Sequence, residues 1–439
     1  MKNLLIAAIA LMLVSCNRSG LPTDSSLLSS VPADTRAVAV ADLYACAREV
    51  GLRISSEGLL DATSSEADLS FVPRNVTEPI KALARRRHWV DLSHVAIFAD
   101  SATGAIVFTA MRIDGAETTD ENENPHVAVF VDDNRLWVAS KPFDAADLDS
   151  IAARASRRSV ADIRPFSDFL SSYRPVRAAL RPEPFRNVAG DDFTTIFLAA
   201  KSEGNTLSVD ITYADSLGNK VDPFSRLSGI DENVYSYLPQ ATVATLAIGA
   251  DRHTFRSILS NYGGVIPLRQ RMAAELSSGF LCDSASTIAV GFAPGGSAET
   301  ISDFSLKTWV FTALLPIEID RTEDFIDIID ILTQGSLQCD IAGPYLAVSN
   351  ASLEQVASGD DYGTVPSPSL MRLQGYIPYR SELMKALRLD FGLSLDADCT
   401  GGKTSIRLST LGGEDPPGTI ILDLLRGFPH EKYFWITGR

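Results

Sequence analysis

The sequence predicts an α+β fold built from two tandem modules, each an antiparallel sheet of hairpins with helices packed on it. The first observation is length, because 439 residues exceed what a single hydrophobic core usually organises. The second is a series of apolar runs with a period of two, separated by short turns, which is typical of hairpins. The third is a segment that occurs twice, which indicates a duplication.

The duplicated segment covers residues 29–42 and returns in weaker form at residues 236–251. Four positions agree in register: Ser29, Pro32, Thr35 and Ala37 match Ser236, Pro239, Thr242 and Ala244. After a two-residue insertion, the pair Ala41-Asp42 matches Ala250-Asp251. We therefore place the two modules at residues 29–222 and 230–439.

The first module is predicted to contain hairpins with helices between them. Residues 35–40 form a strand, after which Asp42 caps a helix that Gly51 ends. Residues 55–69 are assigned to a loop, and residues 77–88 to a helix with Pro79 in its first turn and three arginines in its last. Three hairpins are expected, with strands at residues 94–98 and 105–112, 126–131 and 136–139, and 194–200 and 206–213. Helices are expected over residues 144–155 and 166–173.

The second module repeats this order. Pro267 starts a helix that Gly279 ends, and strands follow at residues 287–290, 310–313 and 346–349. The letters V-F-T-A of residues 310–313 are those of residues 107–110. Between the matched hairpins the first module has the acidic loop 117–124, whereas the second has a helix over residues 322–332. We expect a binding face, if there is one, at these differing loops.

Residues 1–15 predict a lipoprotein signal peptide. Lys2 provides the positive start, residues 4–14 form an apolar run too short to span a bilayer, and Ser15 is the small residue before a cleavage site. The ending Leu13-Val14-Ser15-Cys16 resembles the lipobox of bacterial lipoproteins. The resemblance implies that Cys16 is acylated and becomes the new N-terminus, so that acyl chains anchor the protein in the membrane.

The residues after the lipobox bear on the destination of the protein. Asn17 stands where aspartate would retain such a lipoprotein in the inner membrane, so the resemblance implies the outer membrane, with the body facing the periplasm. Residues 16–28 predict a flexible tether. Lipobox, tether and the V-P-A-D-T of residues 31–35 resemble a group of uncharacterised lipoproteins of Gram-negative bacteria. The resemblance implies an envelope protein and assigns no catalytic residue.

The charge balance and one glycine-rich turn bear on nucleic acid and nucleotide partners. A formal net charge of −16 repels phosphate backbones, so we predict no nucleic-acid partner. Residues 400–404, T-G-G-K-T, resemble the end of a phosphate-binding loop. That pattern needs a glycine where Ala397 stands and a helix where residues 405–409 predict a strand. We interpret the segment as a hairpin turn and predict neither a nucleotide nor another cofactor.

The candidates for a metal site or a disulfide are weak. Residues 120–124 imitate the start of a calcium loop, but Pro125 replaces the required glycine and Val131 the bidentate glutamate. We predict a solvated acidic loop and no metal site, with weak calcium binding as the alternative. Four cysteines remain after the anchor: Cys46, Cys282, Cys339 and Cys399. Disulfides and buried thiols are equal alternatives for them, and their spacing favours no pairing.

No motif in the sequence specifies catalysis. The five histidines show no H-E-x-x-H spacing, and a G-x-S-x-G elbow does not occur. We therefore predict a non-catalytic, lipid-anchored envelope protein that binds a protein or a glycan through loops of a duplicated scaffold. The alternative is an envelope hydrolase with a site in the cleft between the modules, assembled from residues distant in sequence.

Overall fold

The computed structural model divides the chain into two compact units of mixed α and β structure, with strands in the majority. Among the residues that the structure describes, the first unit contains residues 25–181 and 194–219, and the second contains residues 190–193 and 220–412. The described ranges are 25–49, 51–55, 58–61, 72–117, 125–132, 134–172, 176–181, 190–239, 242–262, 275–276, 278–284, 286–294, 309–351, 369–377 and 391–412.

A large antiparallel sheet forms the centre of the first unit. The strands of this unit are β1 (Ala37–Ala41), β2 (Leu52–Ser55), β3 (Gly58–Asp61), β4 (Val90–Ala99), β5 (Ile106–Arg112), β6 (Val127–Asp132), β7 (Arg135–Ser140), β8 (Val176–Leu180), β9 (Thr195–Glu203) and β10 (Thr206–Ala214). The strands β2 and β3 pair only with each other among the described residues. The others are ordered β6-β7-β5-β4-β1-β8-β9-β10.

Helices cover both faces of this sheet. They are α1 (Ser25–Leu28), α2 (Leu43–Glu49), α3 (Arg74–Arg85), α4 (Ala145–Arg157) and α5 (Arg164–Leu170). Side chains of α2 and α3 share one core with Trp89 and Phe108, whereas α1, α4 and α5 share the other with Phe98 and Trp137. Successive side chains of a strand point to opposite faces, so β1, with the sequence Ala-Val-Ala-Val-Ala, is buried along its whole length.

The opening segment of the first unit contains a turn, the strand β1 and a capped helix. The amide of Thr35 donates to the carbonyl of Pro32 (3.1 Å), which closes the turn. Asp42 Oδ1 accepts from the amide of Ala45 (2.9 Å), which confirms Asp42 as the cap of α2. Residues 25–28, which the composition assigns to the tether, instead form α1, because Leu27 and Leu28 are fully buried in the core.

The second unit also contains a large antiparallel sheet. Its strands are β11 (Ala244–Ala250), β12 (Ser286–Pro294), β13 (Trp309–Leu315), β14 (Gln338–Ala342), β15 (Tyr345–Ser349), β16 (Met371–Ile377), β17 (Gly392–Thr400) and β18 (Lys403–Leu411), in the order β14-β15-β13-β12-β11-β16-β17-β18. Its described helices are α6 (Arg252–Tyr262) and α7 (Thr322–Thr333). The 3₁₀ turn Glu232–Tyr237 lies against one face of the sheet, and α7 packs Phe325 and Ile329 against the other.

Several element predictions are confirmed. The three hairpins of the first unit pair as β4 with β5, β6 with β7, and β9 with β10. Asp144 caps α4 through a capping box, and α7 agrees with the helix expected over residues 322–332. Most of the helix expected from Pro267, and residues 118–124 of the acidic loop, lie outside the described residues.

Two predictions for the first unit are wrong. Residues 58–61, expected to lie in a loop, form β3 and pair with β2. The helix α3 begins at Arg74 because Pro73 precedes it and accepts its first amides, so Pro79 lies inside the helix and Arg85 is its last residue. Of the expected arginine cluster, Arg86 folds back and donates to the carbonyl of Ala82 (3.0 Å). A cation therefore does bind the helix end, as the dipole favours.

We expect Gly249 to be essential to the packing of β11. A Cβ atom there would lie 2.2 Å from the carbonyl oxygen of Ser228, whose backbone crosses the strand. Backbone cannot move aside as a flexible side chain can, so Gly249→Ala should lower the free energy of unfolding of this unit by about 2–3 kcal/mol. Urea unfolding measures the loss. The control is Gly229→Ala, where a Cβ meets nothing within 4 Å. An equal cost for both variants would contradict the prediction.

Candidate functional site

Eleven polar side chains lie on one face of the strands β16, β17 and β18. Nine of them, in three complete rows, are what we call the polar face, and Thr400 and Lys403 form a further row beside it. Because residues two apart in a strand share a face, the register between the strands defines three rows. The rows are Arg372, Asp398 and Ser405; Gln374, Asp396 and Arg407; and Tyr376, Ser394 and Ser409. Strand spacings of about 4.8 Å and rises of about 3.3 Å per residue give a patch of roughly 10 by 13 Å.

The centre of the polar face is an ion pair between Arg372 and Asp396. Arg372 Nε donates to Asp396 Oδ1 at 2.8 Å, and Nη2 donates to Oδ2 at 3.3 Å, which makes the pair bidentate. The arginine side chain is only 7% exposed, and the aspartate is partly exposed. The ion pair therefore fixes two charged side chains at the boundary between the core and the solvent.

Asp398 lies beside this pair and has a different environment. It is the direct cross-strand neighbour of Arg372, yet its described partners are hydroxyl groups. Ser369 Oγ donates to Asp398 Oδ1, and Thr400 Oγ1 lies 3.4 Å from Oδ2. Ser369 is fully buried, so it holds the carboxylate from the core side. Asp398 itself is partly exposed to solvent.

The 3₁₀ turn before β11 places a tyrosine hydroxyl next to these charges. Tyr235 belongs to the same buried cluster as Ala247, which is the cross-strand neighbour of Arg372. Its side chain is 6% exposed, and its hydroxyl has no hydrogen-bond partner in the described part of the chain. Burial raises the pKa of Tyr235, and the carboxylates of Asp396 and Asp398 raise it further against the opposing charge of Arg372. The hydroxyl is therefore protonated and available as a donor.

The outer part of the polar face is open to solvent. Tyr376 is 39% exposed, and Arg407, directly across from Asp396, is also exposed. The buried hydroxyl of Thr245 lies one strand inward, across from Gln374, and has no partner among the described residues. An aromatic ring, an arginine and buried hydroxyls therefore flank the ion pair.

The sheets of the two units each contain a long row of cross-strand neighbours, and the two rows differ in polarity. The row through Thr245 in the second unit runs Gln338, Ser349, Thr312, Gly291, Thr245, Gln374, Asp396 and Arg407. The row through Val38 in the first unit runs Ala128, Ala139, Val107, Phe98, Val38, Ala179, Phe197 and Thr212. Helices α4 and α5 cover that apolar row. The row through Val38 is thus buried, whereas part of the row through Thr245 is open to solvent.

Arg177 and Asp210 are charged residues of the first unit that lie on the same face as its apolar row. Arg177 in β8 pairs with Val40, two residues from Val38, and is 2% exposed. In the described chain its polar partner is the carbonyl oxygen of Ser172, with no carboxylate beside it. Burial lowers the pKa of Arg177 to about 10, so the guanidinium is charged at neutral pH.

The residues singled out in the sequence do not assemble into this site. Gly401 and Gly402, both with positive φ, form the two-residue turn between β17 and β18, which confirms a hairpin in place of a phosphate loop. Cys46, Cys282, Cys339 and Cys399 are free thiols, and Cys399 contacts Thr404 Oγ1 at 3.2 Å. Cys16 lies outside the described residues. Among the described residues no group of three His, Cys, Asp or Glu side chains is placed to hold a metal.

Sequence reasoning missed the polar face. The signal is the alternation R-x-Q-x-Y in residues 372–376, S-x-D-x-D in residues 394–398 and S-x-R-x-S in residues 405–409. The intervening positions, such as Leu373, Leu395 and Ile406, are apolar, which is the pattern of strands with one polar face. Apolar residues predicted a strand on each side of the turn at Gly401 and Gly402, and residues 371–377 were not assigned to any element.

No helix among the described residues is long and apolar enough to cross a bilayer. Comparisons with protein-family models, with curated proteins and with solved structures find no match.

Proposed function

We propose that the chain is a lipid-anchored protein of the outer membrane, facing the periplasm, that binds an envelope glycan through the polar face of the second of two tandem modules. Acylated Cys16 is the anchor, and the role is binding without catalysis. The observation that carries the proposal is the polar face itself, in which a bidentate ion pair, a second carboxylate and an exposed tyrosine ring lie on three neighbouring strands.

The tandem arrangement is supported by local geometry at the start of each unit. The amide of Thr242 donates to the carbonyl of Pro239 (3.0 Å), as Thr35 does to Pro32. Asp251 Oδ1 accepts from the amide of Thr254 (2.6 Å) at the start of α6, as Asp42 does at α2. When the separate hairpin of β2 and β3 is left out of the numbering, the order of the strands in the two sheets is also the same. A turn, a strand and a capped helix thus occur at the start of both units. The proline, the threonine and the aspartate that the two segments share make the same kind of hydrogen bond in each.

The strand register supports the tandem arrangement and changes one detail of it. Counting three residues from Thr35 and Thr242 makes Val38 equivalent to Thr245. Following cross-strand pairs from there makes Val107 equivalent to Thr312. The letters V-F-T-A at residues 107–110 and 310–313 are therefore two positions out of register with each other. A shift of two positions leaves each side chain on the same face of its sheet. That match is coincidental, whereas residues 136–139 and 346–349 agree with the register.

A glycan matches the chemistry of the polar face better than a protein does. Sugars offer hydroxyl groups that donate and accept, together with apolar ring faces. The polar face offers carboxylates, an amide, hydroxyls and a guanidinium, and Tyr376 provides an exposed ring for stacking. The central charges are held in place before any ligand arrives, which reduces the entropy cost of binding.

The central carboxylate suits binding more than hydrolysis. Both oxygens of Asp396 accept from Arg372, which fixes the orientation of the carboxylate. A glycosidase of the usual kind needs one carboxyl that carries a proton to the leaving group. An arginine-bound carboxylate is poorly suited to that role, and it is well suited to accepting hydrogen bonds from sugar hydroxyls.

The proposal predicts binding of the detergent-solubilised full-length protein to envelope oligosaccharides on a glycan array. Tyr376→Ala should weaken this binding by about tenfold, because it removes the exposed ring while leaving the core unchanged. The matched control is Tyr44→Ala, a change of a tyrosine of equal exposure (40%) in the first unit. Unchanged affinity for Tyr376→Ala, or no binding to any oligosaccharide, would overturn the assignment of this face.

A further inference from the structure

We infer that the edge strand β14, together with the helix α7 beside it, binds an extended, positively charged segment of a partner protein. This surface is separate from the proposed glycan site, because β14 and β18 are the two ends of the strand order in the second unit. The inference depends on three observations: a strand edge that no described strand pairs with, exposed apolar side chains beside it, and carboxylates without cations.

The first observation is the outer edge of β14. Among the described residues this strand pairs with β15 alone. Its two-residue turn, Gly343-Pro344, is closed by the pair Ala342 and Tyr345, and hydrogen-bonded pairs alternate along an antiparallel ladder. The N–H and C=O groups of Cys339 and Ile341 therefore point away from β15, where a further strand could bond to them.

The second observation is the exposure of apolar side chains next to this edge. Cys339 packs against the cluster that contains Phe325 of α7, and Ile341, two residues later, lies on the same face of the sheet. Ile341 is nevertheless 77% exposed. In the last turn of α7, Ile331 is 76% and Leu332 48% exposed. Apolar side chains along an unpaired edge are the contacts that an added strand covers.

The third observation is the charge of this surface. Residues 322–349 contain five carboxylates and no Lys, Arg or His. Glu323, Asp324, Asp327 and Asp330 belong to α7 and Asp340 belongs to β14, and all five are exposed. The strands β12, β13 and β15 also contain no cationic residue. The surface is therefore uniformly negative.

Cations on the other described segments that pack around α7 do not compensate these five carboxylates. Those segments are α6, residues 278–284 and residues 317–321. Arg252 pairs with Asp283 (3.1 Å) and with Glu318 (2.9 Å), and Arg321 lies 3.7 Å from Glu318. The charged groups there are Arg252, His253, Arg256 and Arg321, with Asp251, Asp283, Glu318 and Asp320. Those segments thus contribute no surplus of positive charge.

The charge selects among the possible occupants of the edge. Pairing of β14 with β14 of a second copy would bring like charges together, and a bilayer surface with anionic headgroups would be repelled. A partner segment with Lys or Arg and apolar side chains fits the whole surface. Its backbone pairs with Cys339 and Ile341, its apolar side chains cover Ile341, and its cations bond to the carboxylates of α7 and β14.

The test uses peptides as probes of the full-length protein in detergent. The first probe is a nine-residue peptide of alternating lysine and valine, which we expect to bind. The same peptide methylated on every backbone nitrogen keeps its side chains and its charge but has no backbone donor for the edge. We expect it to bind at least about tenfold more weakly. A peptide of alternating glutamate and valine should not bind, because the surface repels it.

The variant that tests the position is Ile341→Lys. It should weaken binding of the lysine–valine peptide by at least about tenfold, because it removes the apolar contact and adds a like charge at the edge. At 77% exposure the substitution leaves the core intact. The matched control is Leu217→Lys, the same change at a residue of the first unit that is 76% exposed, and the affinity should remain unchanged.

Four outcomes would overturn the inference. No binding of the lysine–valine peptide refutes the charge argument, and equal binding of the methylated peptide refutes strand pairing. Equal affinity of Ile341→Lys and Leu217→Lys refutes the position. Dimerisation of the unmodified protein that Ile341→Lys abolishes would show that a second copy occupies the edge. Each of these results leaves the glycan proposal standing, because that proposal is tested with oligosaccharides on the polar face.

Discussion

Replacing Cys16 with alanine should transfer the protein from the membrane fraction to the soluble fraction almost completely. Each acyl CH₂ that enters the bilayer contributes about 0.8 kcal/mol, so the proposed lipid chains would account for the membrane affinity of a chain whose full sequence has a formal net charge of −16. Without the cysteine no acyl chain can be attached. Fractionation of cells, followed by detection of the protein in pellet and supernatant, measures the change.

Two variants separate anchoring from folding and sorting. Cys46→Ala removes a buried thiol of the body, and the protein should stay in the pellet. Asn17→Asp should also stay in the pellet but move from the outer to the inner membrane, because aspartate after the lipidated cysteine resembles the retention signal. A Cys16→Ala protein that still sediments with membranes would contradict the lipid anchor.

Arg372→Met should destabilise the second unit by about 2–3 kcal/mol, whereas Arg177→Met should change the first unit by less than about 1 kcal/mol. Arg372 in β16 is paired with Ala247 of β11, and Arg177 in β8 is paired with Val40 of β1. Removing Arg372 leaves Asp396 partly buried without its partner, which is costly. Removing Arg177 leaves only a carbonyl group without a donor and relieves the burial of a charge that no carboxylate compensates.

Hydrogen exchange of the amides in β8 and β16 reports the two stabilities separately, since each strand lies within one unit. The double variant Arg372→Met with Asp396→Leu should recover most of the loss, because it replaces the whole pair by apolar groups. If both arginine variants cost the same, the role assigned to Asp396 is wrong.

Local patterns in the sequence predicted the hairpins and capped helices well. β4 and β5, for example, are alternating apolar runs on either side of a short turn, and Asp42 and Asp144 stand directly before their helices. Such features depend on residues that are close in sequence, so one stretch contains the whole signal. The strands β8, β14 and β16 were not predicted, because each contains a charged residue that interrupts its apolar pattern.

The polar face could not be predicted because it depends on register between distant segments. Arg372 meets Asp396 only after β16 pairs with β17, and the two residues are more than twenty positions apart in the chain. Each residue alone is unremarkable. Only the pairing of the strands shows that they form a bidentate ion pair.

The burial of Leu27 and Leu28 sets the distance at which the proposed anchor would hold the body. Because α1 belongs to the folded core, eight residues, 17–24, separate Cys16 from it in the sequence. A fully extended chain covers at most about 3.5 Å per residue, so an acylated Cys16 would keep the start of α1 within about 30 Å of the lipid surface. Such an anchor would confine the protein to a thin layer beside the membrane and would raise its effective concentration for ligands fixed in that layer.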